Sequence, residues 1–155
     1  DINQELNNLG LKPNKRIIKM SMENIPFEKL SDEIYNQGDC FICATHGEGW
    51  GLQIGEAMAC GLMPIVTDWG GQTDFVNKEN GILIKSDVKE IQGDLIYEGL
   101  YWHIPDLNHL KKQMRWTFDN KDKVKQKGEI ARQEILNNWT WKYTADKALK
   151  ALSYI

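Results

Sequence analysis

Short apolar runs alternate with amphipathic stretches through the first half of the chain, and helical periodicity takes over in the second. RIIKM (Arg16 to Met20), CFICA (Cys40 to Ala44), MPIVT (Met63 to Thr67) and NGILI (Asn80 to Ile84) are too short for helices and rich in branched residues, so each predicts a strand, CFICA a buried one. PFEKLSDEIYNQG predicts a helix from Pro26 to Gly38, because proline suits a first turn and glycine a C-terminal stop. Leu52 to Cys60 predicts a short helix closed by Gly61, and a helical segment around Gln72 to Val76 follows the turn DWGG. Strands alternating with helices need right-handed crossovers, which gives an α/β fold: a Rossmann-like, doubly wound parallel sheet covered on both faces. Four strands make a small sheet for that architecture. The first strand-helix-strand unit of a full domain is therefore expected upstream of Asp1.

The alternation stops between Ser86 and Pro105, where Gly93, Gly99 and the aromatics Tyr97, Tyr101 and Trp102 show neither period; the stretch reads as a long loop or insertion. LNHLKKQMRWTFDN, KDKVKQKGEIARQEILNN and TWKYTADKALKAL then predict three C-terminal helices within residues 106–155, the last capped by Thr140. No internal repeat or low-complexity tract interrupts them.

Composition narrows the function classes. With 155 residues, 41% of them hydrophobic, the chain can build one sizeable core and fits a single domain. A net charge of -3, with acids and bases scattered, leaves no broad basic footprint, so nucleic acid is not an expected partner. No apolar run approaches the roughly 20 residues of a spanning helix, and DINQELNNLG lacks a signal peptide's layout. The expected location is the cytoplasm or the cytoplasmic face of a membrane. A start at Asp1 in place of Met suggests a piece of something longer. The three cysteines, Cys40, Cys43 and Cys60, form no disulfide framework and favour a reducing compartment. Cys40 and Cys43 have CxxC spacing, but residues three apart on a strand face opposite ways, so they read as structural thiols.

Candidate chemistry concentrates in THGEGWGLQIGEAMACG, Thr45 to Gly61. In open parallel sheets ligands bind beyond the carboxyl ends of strands, where loops enter helices. The loop Thr45 to Gly51 has that position. Gly47, Gly49 and Gly51 let its backbone turn and approach a ligand, and the helix start at Leu52 offers unpaired amides and a positive dipole end suited to phosphate. Glu48 lies in the loop and Glu56 about 5 to 6 Å along the helix axis from Leu52. Two carboxylates around a phosphate site suit a ligand with hydroxyls at both ends and a diphosphate between, as in a nucleotide sugar. By spacing alone other readings stand beside it: a plain tight turn, with Glu48 at a helix terminus and Glu56 on a solvated face, or the paired carboxylates of a glycoside hydrolase.

The run GDCFICATHGEGWGLQIGEAMACGLMPIVTDWGGQTDFVNKENGILI resembles the donor-binding core of retaining glycosyltransferases of the GT-B fold, in the family 4 group called glycosyl transferases group 1. The match is dense from Gly38 to Ile84, and NNWTWKYTADKALKAL is similar to that family's closing helix. The resemblance implies that the chain is the C-terminal, donor-binding half of a GT-B fold. Glu48 and Glu56 match the E-x7-E motif, which places Glu48 at the donor sugar's hydroxyls in the catalytic centre, without making it a nucleophile, and Glu56 on the ribose. Gly49, Trp50, Gly51 and Leu52 match the segment whose backbone amides meet the sugar and the diphosphate, with Trp50 in place of the commoner Phe. With Gly47 these residues are the expected donor-binding set. His46 falls at a variable position and is expected in the loop's outer shell.

The implied substrate is a nucleotide-diphosphate sugar, and the acceptor is a glycan, lipid or protein. No cofactor and no metal are expected; His46, His103 and His109 lack metal-site spacing. The family's opening strand, glycine-bearing loop and Arg–Lys pair do not precede RIIKM, whose Arg16 and Lys19 read as surface residues, and the N-terminal acceptor domain is missing too. The chain alone is therefore expected to be inactive. The rival reading keeps the fold as a non-catalytic nucleotide-sugar-binding or protein-interaction module, working through Tyr97 to Trp102. A dinucleotide-dependent oxidoreductase is weaker, since no G-x-G-x-x-G follows the first strand.

Overall fold

A computed structural model describes residues 25–153. By internal contacts the chain divides into two compact units, Asp1–Leu30 and Ser31–Ile155. In the first, the described part is a 3-10 turn at Phe27–Lys29, in which the Lys29 amide donates to the Pro26 carbonyl at 2.9 Å. The strand expected at RIIKM lies outside the described residues.

The single helix expected from Pro26 to Gly38 is instead three short pieces: that turn, one α-helical turn α1 (Leu30–Glu33), and a second 3-10 turn at Tyr35–Gln37. Side chains explain the break. The Gln37 amide nitrogen donates to the Asp32 carbonyl at 2.9 Å, and Asn36 to the Asp32 carboxylate at 3.2 Å, so polar side chains compete with the helical ladder.

A parallel sheet follows in the order β1 (Cys40–Cys43), β2 (Met63–Thr67), β3 (Ile82–Ile84), with Ile42 opposite Ile65 and Val66 opposite Leu83. Helix α2 (Leu52–Ala59) makes the first crossover, and a 3-10 turn at Gly71–Asp74 lies in the second. Only β2, hydrogen-bonded on both sides, is buried throughout. The expectation of a buried strand at CFICA is corrected: β1 is half-buried, with Ile42 38% exposed, because it pairs with β2 on one side alone among the described residues. Strand β3 starts two residues later than expected. Asn80, 1% exposed, is used up in a turn, its carboxamide accepting from the Asn77 amide at 2.7 Å and donating to the Phe75 carbonyl at 2.8 Å.

The stretch read as a long loop is an antiparallel hairpin, β4 (Ser86–Glu90) with β5 (Tyr101–Pro105), Val88 opposite His103. Strand β4 is largely exposed and β5 is half-buried without alternation, so no buried stripe marks them in the sequence. The three expected helices then appear as α3 (Leu107–Asp119), α4 (Lys121–Asn138) and α5 (Trp141–Leu152). The Asp106 carboxylate caps α3 by accepting from the amides of Asn108 and His109, and the Thr140 hydroxyl caps α5 through Tyr143.

Alternate residues of β2 enter two separate cores, as the period of a strand requires. Val66 joins Ile54, Met58, Phe75, Val76, Ala131 and Ile135; Met63 and Ile65 join Ile84 and Val124, backed by Leu110 and Trp116. Helix α4 supplies residues to both cores. Gly128 makes this possible, because a side-chain carbon there would overlap the Gly61 carbonyl oxygen and lie 3.3 Å from the Met63 amide nitrogen. The helix thus passes in backbone contact with the start of β2. Among the described residues no helix is long and apolar enough to cross a membrane.

Candidate functional site

The loop after β1 and the loop after β2 meet at the carboxyl end of the sheet. The Gly71 amide donates to the Glu48 carbonyl at 2.9 Å, and the Thr67 hydroxyl donates to the Thr45 carbonyl at 2.6 Å. Contact is so close that a Cβ on Gly71 would overlap the Gly49 carbonyl oxygen, and one on Gly70 would sit 2.7 Å from the Glu48 carbonyl oxygen. These two glycines, read from the sequence only as a turn, hold the candidate loop in place. Gly51, at φ 91°, then caps α2 in the left-handed region, where other residues are strained, and no side chain bonds the first amides of the helix. The amides of Leu52 and Gln53, in the first turn of α2, have no carbonyl one turn back within the helix.

The two glutamates have separate partners. Glu48 is half-buried, and its carboxylate accepts from the Gln53 side chain at 3.1 Å; the same Gln53 nitrogen lies 3.7 Å from the Cys43 sulfur. Glu56, also half-buried, accepts a 2.6 Å hydrogen bond from the Tyr35 hydroxyl. Tyr35 is 5% exposed, and its ring meets Phe41 edge-on with centroids 6.0 Å apart. Burial foremost, then the bond to Glu56, pushes the tyrosine hydroxyl far above its usual pKa, so it remains a donor at any physiological pH. One oxygen of Glu56 is thereby engaged by a rigid donor. Sequence reasoning missed Tyr35 and Gln53. Gln53 carried a legible signal, being within one turn of the helix start, but Tyr35 lies 21 residues from its partner and carried none.

Trp50 contributes no side chain to the loop's outer surface. Its ring turns inward onto Phe75 at 4.7 Å and Trp139 at 6.0 Å, and a Cβ on Gly55 would lie 2.8 Å from it. That packing anchors the loop to the first core, and Gly51 is buried beside it. Gly47 and Gly49 are exposed, as is Leu52 at 68%.

Cys40 and Cys43 are free, and three strand residues separate their Cα atoms by roughly 10 Å, beyond disulfide reach. Burial raises both thiols above their ordinary range, for Cys43 against a lowering contribution from Gln53. His103 and His109 have local partners: His103 lies 3.0 Å from the Ser86 hydroxyl, and His109 accepts from the Lys85 amide at 3.1 Å. Among the described residues no group of three or more His, Cys, Asp or Glu stands together. A cavity of 530 Å³ lies at the opposite end of the strands, between Cys40, Gly61 and Phe118, and touches neither glutamate.

Known proteins agree with this geometry. The fold is similar to that of sucrose-phosphate synthase from Thermosynechococcus elongatus, with a TM-score of 0.74 at 19% identity; 99% of the chain and 33% of the synthase are covered. A stretch of 79 residues is 37% identical to the UDP-N-acetylglucosamine--peptide N-acetylglucosaminyltransferase GtfA subunit of Streptococcus parasanguinis, covering 45% of the chain and 16% of that protein. The chain thus spans a third or less of the length of these two proteins. The sequence model of glycosyl transferases group 1 matches residues 5–97, more than half of the chain. Sheet, loop and motif order concur with that match, and the chain belongs to the glycosyl transferases group 1 family.

Proposed function

We propose that the chain is the donor-binding part of a retaining glycosyltransferase, which takes a sugar from a nucleotide-diphosphate sugar to an acceptor hydroxyl. The observation that carries this reading is the uncapped start of α2 between two carboxylates, each held by its own side-chain donor. In this reading the diphosphate lies on the amides of Leu52 and Gln53, Glu56 accepts from the ribose hydroxyls with the oxygen that Tyr35 leaves open, and Glu48 accepts from the sugar hydroxyls. Gly47, Gly49, Trp50 and Gly51 contribute backbone.

The bond between the anomeric carbon and the diphosphate oxygen breaks, and its electron pair leaves with the diphosphate. Positive charge builds on the sugar ring near Glu48, while negative charge builds at the helix start, whose amides are already oriented toward it. The acceptor oxygen bonds to the anomeric carbon from the face the diphosphate leaves, and its proton passes to the departing phosphate oxygen. No enzymic nucleophile and no metal enter this scheme. In this reading the chain by itself binds donor without turning it over. Robust sugar transfer by the isolated chain would refute that last point.

Calorimetric titration with UDP-, GDP- and ADP-sugars tests the binding reading. Losing a hydrogen bond to a charged group costs about 1.5 to 3 kcal/mol, so Glu56→Ala is expected to weaken the preferred nucleotide sugar by about 10- to 100-fold. An unchanged affinity would remove Glu56 from the ribose.

One observation favours the second reading, a protein-interaction module. The hairpin tip presents Leu95 at 105% and Ile96 at 80% exposure. Absence of any nucleotide binding, together with capture of a specific partner lost on Leu95→Asp, would favour it.

A further inference from the structure

The hairpin is attached to the mouth of the sheet through both faces of β5. Consecutive strand residues point opposite ways. Trp102 therefore meets His46, in the loop after β1, with ring centroids 5.2 Å apart, while His103 stacks on Trp69, in the loop after β2, at 3.8 Å and 7°. Between them the His103 amide donates to the His46 carbonyl at 3.1 Å, fixing the strand to the loop one residue before Gly47. The stacked pair and this backbone bond suffice to dock the hairpin. They leave Tyr97 and Trp102, 6.0 Å apart, facing an open hollow of 510 Å³ whose other wall is Ala44, Thr45, His46 and Gly47. Tyr97 remains 45% exposed there, more than a residue serving only as packing would be.

The lining has the chemistry of a pyranose site. A sugar ring in its chair form has one face of C–H groups and a rim of hydroxyls, so it needs a flat apolar surface on one side and polar groups at the edge. Tyr and Trp offer such surfaces, each with a polar end that can stay wet. The His46 imidazole and the backbone at Gly47 supply the edge, and the hollow has the size of ordinary small-molecule sites. Gly47 in its wall directly precedes Glu48, the residue given to the sugar end of the donor.

We propose that the β4–β5 hairpin completes the sugar end of the site, with Trp102 and Tyr97 forming an apolar platform for a hexopyranose ring beside Gly47. The location of this subsite rests on the donor-binding reading above. The ring belongs either to the nucleotide sugar or to a glycan acceptor, and the experiment separates the two. The full chain and its Tyr97→Ala, Trp102→Ala and Trp102→Phe variants are titrated with UDP-glucose and GDP-mannose against UDP and GDP, and methyl glucopyranosides are followed by saturation-transfer NMR. Circular dichroism melts check each fold, and Tyr97→Ala, the more exposed position, decides if Trp102→Ala unfolds the hairpin.

The expected result is about 3- to 10-fold weaker nucleotide-sugar binding in the alanine variants, with nucleoside diphosphates unchanged and Trp102→Phe close to the parent. A loss confined to glycoside transfer signals supports the platform with an acceptor as its ligand. If nucleotide sugars bind and every variant treats all probes alike, the platform is wrong while the donor reading stands. If the parent binds no nucleotide, the donor reading fails; the platform then survives only on a glycoside signal that the alanine variants lose, and its absence overturns both.

Discussion

The mouth of the parallel sheet and the β4–β5 hairpin lie side by side, yet glycine does different work in each. At the mouth, Gly70 and Gly71 are required by space: the two loops touch through their backbones, and there is no room for a methyl group. In the hairpin, a Cβ on Gly99 would meet nothing within 4 Å, and what demands glycine there is a φ of 77°. A part held by backbone contact tolerates no change without moving its neighbours. A part held by turn geometry and a few ring contacts leaves its side chains free to differ, as the platform proposed above requires. The loop that carries Glu48 lies in the first region, and the unexpected structure in the second.

Substitutions can break this contrast, and the largest effect is expected at Gly71. Gly71→Ala drives a methyl group into the Gly49 carbonyl, and overpacking of this kind costs about 3 kcal/mol. For a chain of this size that lowers Tm by about 6 to 12 °C, measured by calorimetry. A Tm within 2 °C of the parent would mean the two loops are not in rigid contact.

Tyr35→Phe comes next. It removes the donor to Glu56 while keeping the ring on Phe41, and water can reach half-buried Glu56, so the expected cost is about 1.5 kcal/mol in urea unfolding. Nucleotide affinity is expected to fall with it, since Glu56 loses its fixed orientation. Unaltered stability and affinity would show that Tyr35 does not position the carboxylate.

Gly99→Ala is expected to cost about 1 kcal/mol through backbone strain alone, and to leave nucleoside diphosphate binding unchanged. Equal losses in Gly71→Ala and Gly99→Ala would erase the distinction between the regions.

The smallest effect concerns Asp106, which caps α3 where β5 ends; its amide bonds the Lys85 carbonyl at 2.8 Å. The amides of His109 first, and then Asn108, hold its carboxyl below the usual aspartate range. A folded-state pKa below the unfolded one gives stability that is present above the unfolded value, about 3.9, and is lost as pH falls through the lowered value. In thermal melts from pH 6 to pH 2, the deficit of Asp106→Ala against the parent is expected to be full at the upper end and to close at the lower. A deficit that persists undiminished at pH 2 would show that the cap does not depend on the charge.

Elements with a buried stripe were legible along the chain, and so were helices with a cap. MPIVT is a strand over the residues expected, Leu52 starts a helix, and Thr140 caps the last one. Elsewhere local pattern lost to contacts at a distance. The Pro26 to Gly38 helix broke where Gln37 and Asn36 turned back on Asp32, and the hairpin escaped notice because neither of its strands alternates between buried and exposed positions. The ring of Trp50, two residues after Glu48, proved to pack against the core.

The sequence by itself determined which residues form the loop, that a helix starts directly after it, and which family it resembles, because strand and helix periods, caps and motif spacing are properties of neighbours along the chain. Only the tertiary structure decided that Tyr35 donates to Glu56, that Gly71 meets Glu48, and that Trp102 and Tyr97 wall the hollow beside Gly47. Those contacts join residues 20 or more positions apart, and they exist because the sheet brings the loops after β1 and β2 together at one edge and the hairpin closes over them.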